Sequence, residues 1–325
     1  MQSRKFGHDG LTVPEIGLGC WQLGGGWGNE WDNNVAQQIL ETAYQSGVRF
    51  IDTADVYGDG ESEKSIGQFR KTHSDVFIAT KLGRAGLFPS NYTRATVRAA
   101  TERSLERLGV DQLDLTQLHC VPRELLEAGE VFDWLREQQA EGLIKRFGAS
   151  VETVEEGLIC LEQDGLSSLQ VIFNIFRQKP LEKLLPLALE KGVAIIVRLP
   201  LASGILSGKM TRESTFGASD HRNFNRDGQH FNVGETFAGI DFNRAIGFSE
   251  QVAEILPSEV PMAQAALRWI LDHPAVSVVI PGASSPAQAS ANVSAASLAP
   301  LGDQVHSALA KLYQSDIHAA VRGAY

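Results

Sequence analysis

The sequence has only three cysteines in 325 residues, Cys20, Cys120 and Cys160. An odd number, widely scattered, excludes a disulfide framework and a zinc cluster built on cysteine. No run of about 18 apolar residues is present to span a bilayer as a helix. The longest candidate, VAIIVRLPLASGIL, is interrupted by Arg198 and Pro200. The opening decapeptide, MQSRKFGHDG, has no apolar signal core. Positive charge is also scarce: 29 Lys and Arg against 39 Asp and Glu give a formal net charge of -10. With no long basic run, nucleic acid and anionic membrane are poor partners. These absences lead us to expect a reduced, cytoplasmic, metal-free protein acting on a small molecule, with no obligate protein partner evident.

What is present is a hydrophobic content of 43%, enough for a large core, and a regular alternation of two patterns. Residues 2–13 read as a hairpin around the His8-Asp9-Gly10 turn. Short apolar runs then alternate with segments of helical periodicity. EIGLGCW, RFIDTAD, DVFIATKL, LDLTQLHC, KRFGAS, LQVIFN, VAIIVRLP and VSVVIPGA are the runs. Each is followed by a helical stretch, including a single helix over RELLEAGEVFDWLREQQAEG. Near-continuous apolar strands are those buried on both faces. Strict alternation implies a parallel sheet, and eight units imply a (β/α)8 barrel over residues 1–325 as one domain. A doubly wound open sheet is the alternative. Two long loops, 22–33 and 203–243, follow strands and so belong over the C-terminal face, where they shape a pocket. Trp21, Trp27 and Trp31 lie in or beside the first. Phe216, Phe224, Phe231, Phe237 and Phe242 supply apolar walls or packing in or beside the second.

Four polar residues end three consecutive runs: Asp52, with Tyr57 just beyond it, Lys81, and His119. In a parallel barrel these ends converge on one rim, where chemistry is done. A tyrosine is a poor acid near neutrality, and a nearby cation is expected to lower its pKa. Lys81 can be that cation, fixed by Asp52 through a charge-assisted hydrogen bond. His119 can orient a carbonyl oxygen. Together they suit protonation of a developing alkoxide. The bland alternative is a structural Asp–Lys pair beside an ordinary tyrosine. A lysine forming a Schiff base is a third reading, opposed by Asp52, which keeps Lys81 charged.

FIDTADVYGDGESE, ATKLG, LHC, LPLASGILSGK and IPGASSPAQASAN, in this order, resemble the aldo-keto reductase superfamily across nearly the whole chain. The resemblance implies a (β/α)8 barrel and reversible carbonyl reduction. It also implies NADPH as the usual cofactor, with NADH as an alternative. It makes Asp52, Tyr57, Lys81 and His119 the catalytic set, with Tyr57 as general acid and Trp21, Tyr57 and His119 facing substrate. It places the cofactor against Gly19, Cys20, Trp21 and Asp52. Ser150 and Gln170 would meet the nicotinamide carboxamide. Arg198 stands where many relatives stack an aromatic ring; a guanidinium can stack too, or form a rim salt bridge instead. Leu199, Leu201, Ser203 and Gly204 would line the pyrophosphate. Gly282, Ser284, Gln288 and Asn292 would surround the adenosine end, where a turn entering a helix presents free N–H groups. Gly282 and Gln288 stand where some relatives clamp the 2′-phosphate with Lys and Arg, and Val151 stands where many have Asn. Some relatives act instead as channel-associated subunits.

GLGCWQLGGGWG is glycine-rich but does not fit the dinucleotide fingerprint, since position 22 is Gln and no helix follows at once. The acids of GDGESE favour a helix dipole over calcium. Cys120, following His119, should point away from the site into the core. His221 and His230 are expected in solvent or at the pocket edge, and Lys209 in solvent.

Overall fold

The computed structural model describes residues 1–25 and 30–325; Trp27 lies outside them. A hairpin comes first, β1 (Ser3–Lys5) pairing antiparallel with β2 (Thr12–Pro14). Eight parallel strands follow: β3 (Leu18–Gly19), β4 (Phe50–Asp52), β5 (Phe77–Leu82), β6 (Leu115–His119), β7 (Phe147–Ser150), β8 (Leu166–Ile172), β9 (Ala194–Arg198) and β10 (Val276–Val279). Each pairs with the next in sequence order. Bridges from Ile16 to Val279 and from Gly19 to Gly282 join the first edge to the last, closing the barrel.

Between strands lie α1 (Asn33–Gln45), α2 (Glu61–Arg70), α3 (Arg94–Leu108), the pair α4 (Arg123–Ala128) and α5 (Glu130–Ala140), α6 (Val154–Cys160) and α7 (Leu184–Glu190). Then come α8 (His221–Phe224), α9 (Phe242–Ile255), α10 (Met262–Leu271), α11 (Pro286–Val293) and α12 (Asp303–Leu312). The single helix expected over 123–140 is two. Gly129 takes φ 79° between them, a left-handed conformation that glycine adopts without a Cβ penalty and that ends a helix. The expected first strand is reduced to two residues because its remaining pairing consists of isolated bridges to the last strand.

Two apolar layers form. Inside the barrel, Phe50, Ala79, Leu115, Ile196 and Val278 pack on Phe6 and Val13 of the hairpin, which plugs the N-terminal end. Arg4 pins the plug: it donates to Glu15 Oε2 at 3.0 Å and to the carbonyl of Val276 at 2.9 Å. Outside, the strands' alternate residues meet the helices in one continuous core. With the bottom filled, the C-terminal face is the open one.

The 203–243 segment covers that face. Phe216, Phe237 and Phe242 pack together, with centroids 4.9–5.7 Å apart. Arg322 clasps the segment from the far end of the chain, donating to Gly239 O at 2.8 Å and pairing with Asp227 at 2.6 Å.

Candidate active site

Parallel register brings the strand-end residues together. Gly19 lies beside Asp52, Lys81 beside Gln117, and His119 beside Ser150. Lys81 is fully buried, and its ammonium donates to Asp52 Oδ1 at 2.5 Å, Thr53 O at 2.9 Å and Tyr57 Oη at 3.3 Å. Asp52 Oδ2 accepts from Gln170 at 2.7 Å and Gln117 at 3.2 Å. The buried carboxylate is thus satisfied on both oxygens, as a buried charge must be. Tyr57 follows β4 on a turn through Gly58 and Gly60, at φ 58° and 89°. The turn carries the phenol back over the rim, against the His119 ring at 5.8 Å.

The electrostatics depart from expectation at Tyr57. Burial raises its pKa above the ordinary tyrosine value; Lys81 pulls it down, but Asp52 and Glu235 push it up, and the net shift is upward. The cation is present, yet desolvation of the phenolate outweighs it. Burial also opposes the charge on Lys81, but Asp52 and Tyr57 prevail and hold the ammonium above its ordinary range. His119 is driven well below 6.5 by burial, with Lys81, Arg84 and Arg198 adding repulsion. The site therefore holds a protonated phenol, a charged lysine and a neutral imidazole.

A cavity of about 370 Å³ opens above this group, a size typical of small-molecule sites. Its walls include Gly19, Cys20, Trp21, Asp52, Tyr57, Gln170, Arg198, Leu199, Leu201, Ser203, Gly204, Gly282, Ser284 and Gln288. Of the residues expected to touch a cofactor, Ser150 and Asn292 stand back from it. Ser150 is buried with its hydroxyl 3.7 Å from Cys120 Sγ; Asn292 donates to Gly282 O at 3.1 Å and braces that turn. Lys81 and His119 are not among the lining residues: the Lys81 ammonium bonds to Tyr57 Oη, and the His119 ring lies edge-on to the Tyr57 ring beside the cavity. The walls suit an extended ligand. A Cβ at Gly19 would stand 2.7 Å from Ile280 O, so the backbone there stays bare. Leu199, Ala202 and Ser203 take positive φ of 51°, 48° and 57°, a backbone conformation that concentrates at ligand sites. The turn before α11 contributes Gly282 and Ser284.

Arg198 forms the rim salt bridge, 2.7 Å to Glu235, and also donates to Val151 O at 3.3 Å. Arg84 pairs with Glu152 at 3.0 Å beside it. Cys120 is buried and off the cavity wall, as expected, but its surroundings are polar. With φ 49° it turns toward Arg198, its sulfur 3.7 Å from the guanidinium. His221 is buried rather than solvated, its ring 4.7 Å from Trp21, and burial lowers its pKa to about 4. Glu63 is fully buried, bonded to Thr80 at 2.6 Å and Arg107 at 3.1 Å, so it serves packing more than the α2 dipole. Trp31 packs against the core. His230 and Lys209 are exposed.

Sequence reasoning missed Gln117, Gln22, Pro200, Arg222, Glu235, Ile280 and Pro281. Gln117 carried a usable signal: a polar residue two positions before His119 on a strand shares its face. Glu235 and Arg222 had none beyond lying in a loop after β9.

A family model for the aldo/keto reductase family matches residues 15–314. The NADH-specific methylglyoxal reductase of Escherichia coli is 27% identical, covering 91% of this chain and 93% of its own length. A probable voltage-gated potassium channel subunit beta of Arabidopsis thaliana is 28% identical, covering 93% of each. Among solved structures, the holo form of an aldo-keto reductase from Bacillus halodurans superposes with a TM-score of 0.77 at 27% identity, covering 100% of this chain and 98% of that one. An aldo-keto reductase from Klebsiella pneumoniae in complex with NADPH gives 0.70 at 25% identity, covering 96% of both. Eight sequential parallel strands, the Lys81–Asp52–Tyr57 group at their C-terminal rim and a match over nearly the full length make this chain a member of the aldo-keto reductase family.

Proposed function

We propose that the protein reduces the carbonyl group of aldehydes or ketones to the alcohol, reversibly, with Tyr57 as the proton donor. The observation that carries this reading is the Tyr57 hydroxyl, bonded to a buried and charged Lys81, on the wall of the cavity at the C-terminal ends of the barrel strands. The nicotinamide cofactor, NADPH or alternatively NADH, supplies the hydride when bound. It would lie along Gly19–Trp21, Leu199–Gly204 and Gly282–Gln288, with Gln170 near its carboxamide.

The rest is done by the chain. Tyr57 keeps its proton at neutral pH and gives it to the substrate oxygen as charge develops there. Lys81 stabilises the phenolate left behind, because its Nζ already points at that oxygen. Asp52 keeps Lys81 in position, and Gln117 and Gln170 keep Asp52 in position. His119, being neutral, can donate a hydrogen bond to the carbonyl and orient it. A Schiff base on Lys81 is disfavoured, since Asp52 keeps the amine protonated. In this reading the enzyme acts in the cytoplasm and needs no obligate partner.

Tyr57→Phe tests the proposal. Turnover is expected to fall by about 100- to 10,000-fold, while titrated cofactor binding stays within a few-fold. Undiminished turnover would refute it. The likeness to a channel subunit favours one second reading, a cofactor-binding subunit without useful turnover. A stoichiometric partner, together with no oxidation of either cofactor by any carbonyl, would select it.

A further inference from the structure

One carboxylate in the cavity has no part in the chemistry above. Glu235 ends the short helical turn Val233–Glu235 and lines the cavity with Tyr57 and Trp21. Burial disfavours its charge, but Arg198 and Arg84 overcome that and hold it ionised. Among the described residues, the only hydrogen bond to its carboxylate is from Arg198, on Oε1. Its backbone is fixed from behind, where Ser203 Oγ donates to Glu235 O at 3.0 Å. A charged, positioned carboxylate with Oε2 uncommitted, in the same small cavity as the proton donor, is an acceptor waiting for a donor on the ligand.

The neighbouring charges narrow what that ligand is. Each cation at the wall has an acid of its own: Arg198 has Glu235 at 2.7 Å and Arg222 has Asp220 at 2.6 Å; behind the wall, Lys81 has Asp52 at 2.5 Å. Just behind, Arg84 has Glu152, and the Glu152 carboxylate and Cys120 sulfur lie within 4.8 Å of Glu235's. Among the described residues, no cation of the cavity wall is left over for a carboxylate or phosphate on the substrate; Arg177, which has no acid partner, is not part of that wall. An anion would also meet Glu235 itself.

We infer that Glu235 is a substrate-recognition residue whose carboxylate accepts a hydrogen bond from a hydroxyl of the substrate, so that the enzyme selects small, uncharged hydroxy-carbonyl compounds. The inference rests on the reductase reading. A site built to hydrogen-bond a substrate hydroxyl discriminates strongly against an analogue lacking it, because the buried acceptor is then left unpaired.

The test compares kcat/KM for glyceraldehyde, butanal and succinic semialdehyde in the wild type and in Glu235→Gln. The wild type is expected to favour glyceraldehyde over the other two by about tenfold or more. The glyceraldehyde-to-butanal ratio should fall by about 10- to 100-fold in the variant, as for loss of a charged hydrogen bond. A purely structural role would lower both rates together and leave the ratio unmoved, which would overturn the inference. Should the variant fold poorly, the wild type alone decides. Glycerol should compete with butanal at far lower concentration than 1-propanol, and equal potency overturns the inference. Turnover without preference overturns the inference alone. No turnover of any carbonyl overturns the reductase reading and this inference with it.

Discussion

Replacing Lys81 with Met should destabilise the protein far more than its one lost charge suggests. The ammonium is fully buried, and its partner Asp52 is 2% exposed. Methionine fills similar volume, so packing is nearly kept. What remains is an anion whose Oδ2 still accepts from two glutamines but whose Oδ1 faces no cation. Breaking a buried pair in this way costs about 3–5 kcal/mol. With an unfolding entropy of about 2.1 cal/mol/K per residue over 325 residues, that is a fall in Tm of about 4–7 °C. Differential scanning calorimetry would measure it. The double variant Lys81→Met/Asp52→Asn removes the stranded charge as well and should recover most of the loss. Lys64→Met is the control, since Lys64 and Glu61 pair at the surface with side chains 56% and 43% exposed, where pairs contribute little. A Tm within about 1 °C of wild type for Lys81→Met, or no recovery in the double variant, would refute the argument.

Three other outcomes follow from the same structure. Because Tyr57 titrates above 10.0 and His119 well below 6.5, kcat/KM for carbonyl reduction should be flat between about pH 6.5 and 10; a break inside that window would contradict the assignment of these states. Tyr57 and Lys81 both have folded-state pKa values raised above their unfolded ones. Their contribution to stability is therefore complete below about pH 10 and lost as pH rises through the folded values. Chemical denaturation should show the alkaline decline flattened in Tyr57→Phe. Arg322→Ala should cost about 1 kcal/mol and raise KM for the carbonyl more than for the cofactor, because its partners Asp227 and Gly239 flank Glu235; equal rises would refute the coupling.

The barrel was legible because its strands are buried on both faces and so stand out as unbroken apolar runs. The clustering of Asp52, Tyr57, Lys81 and His119 was legible because three of them end such runs and Tyr57 closely follows one, and parallel register aligns run ends without further information. Gln117 could have been read by the same logic. Glu235, Asp220 and Arg222 could not, since their meeting depends on how the 203–243 loop folds back over the rim. The direction of the Tyr57 shift was illegible for a different reason. Sequence names the neighbouring cation but not the depth of burial, and here burial wins. Cys120 is buried as read, but the Arg198 guanidinium and Ser150 hydroxyl beside its sulfur come from other strands and could not be read from its place in the sequence.

The positive φ angles at Leu199, Ala202 and Ser203 matter to anyone seeking a more heat-resistant version. Left-handed backbone costs a residue with a side chain about 1–2 kcal/mol, so glycine at these positions would relax the loop. Ala202→Gly is the place to begin, because Ala202 is not on the cavity wall. Leu199 is part of that wall, and Ser203 both lines it and anchors Glu235 and Phe237 through its hydroxyl. Selection for thermal tolerance alone would favour glycine at all three, and at two of them the relief of strain would remove a side chain from the cavity wall. This loop is where the two demands on the sequence conflict.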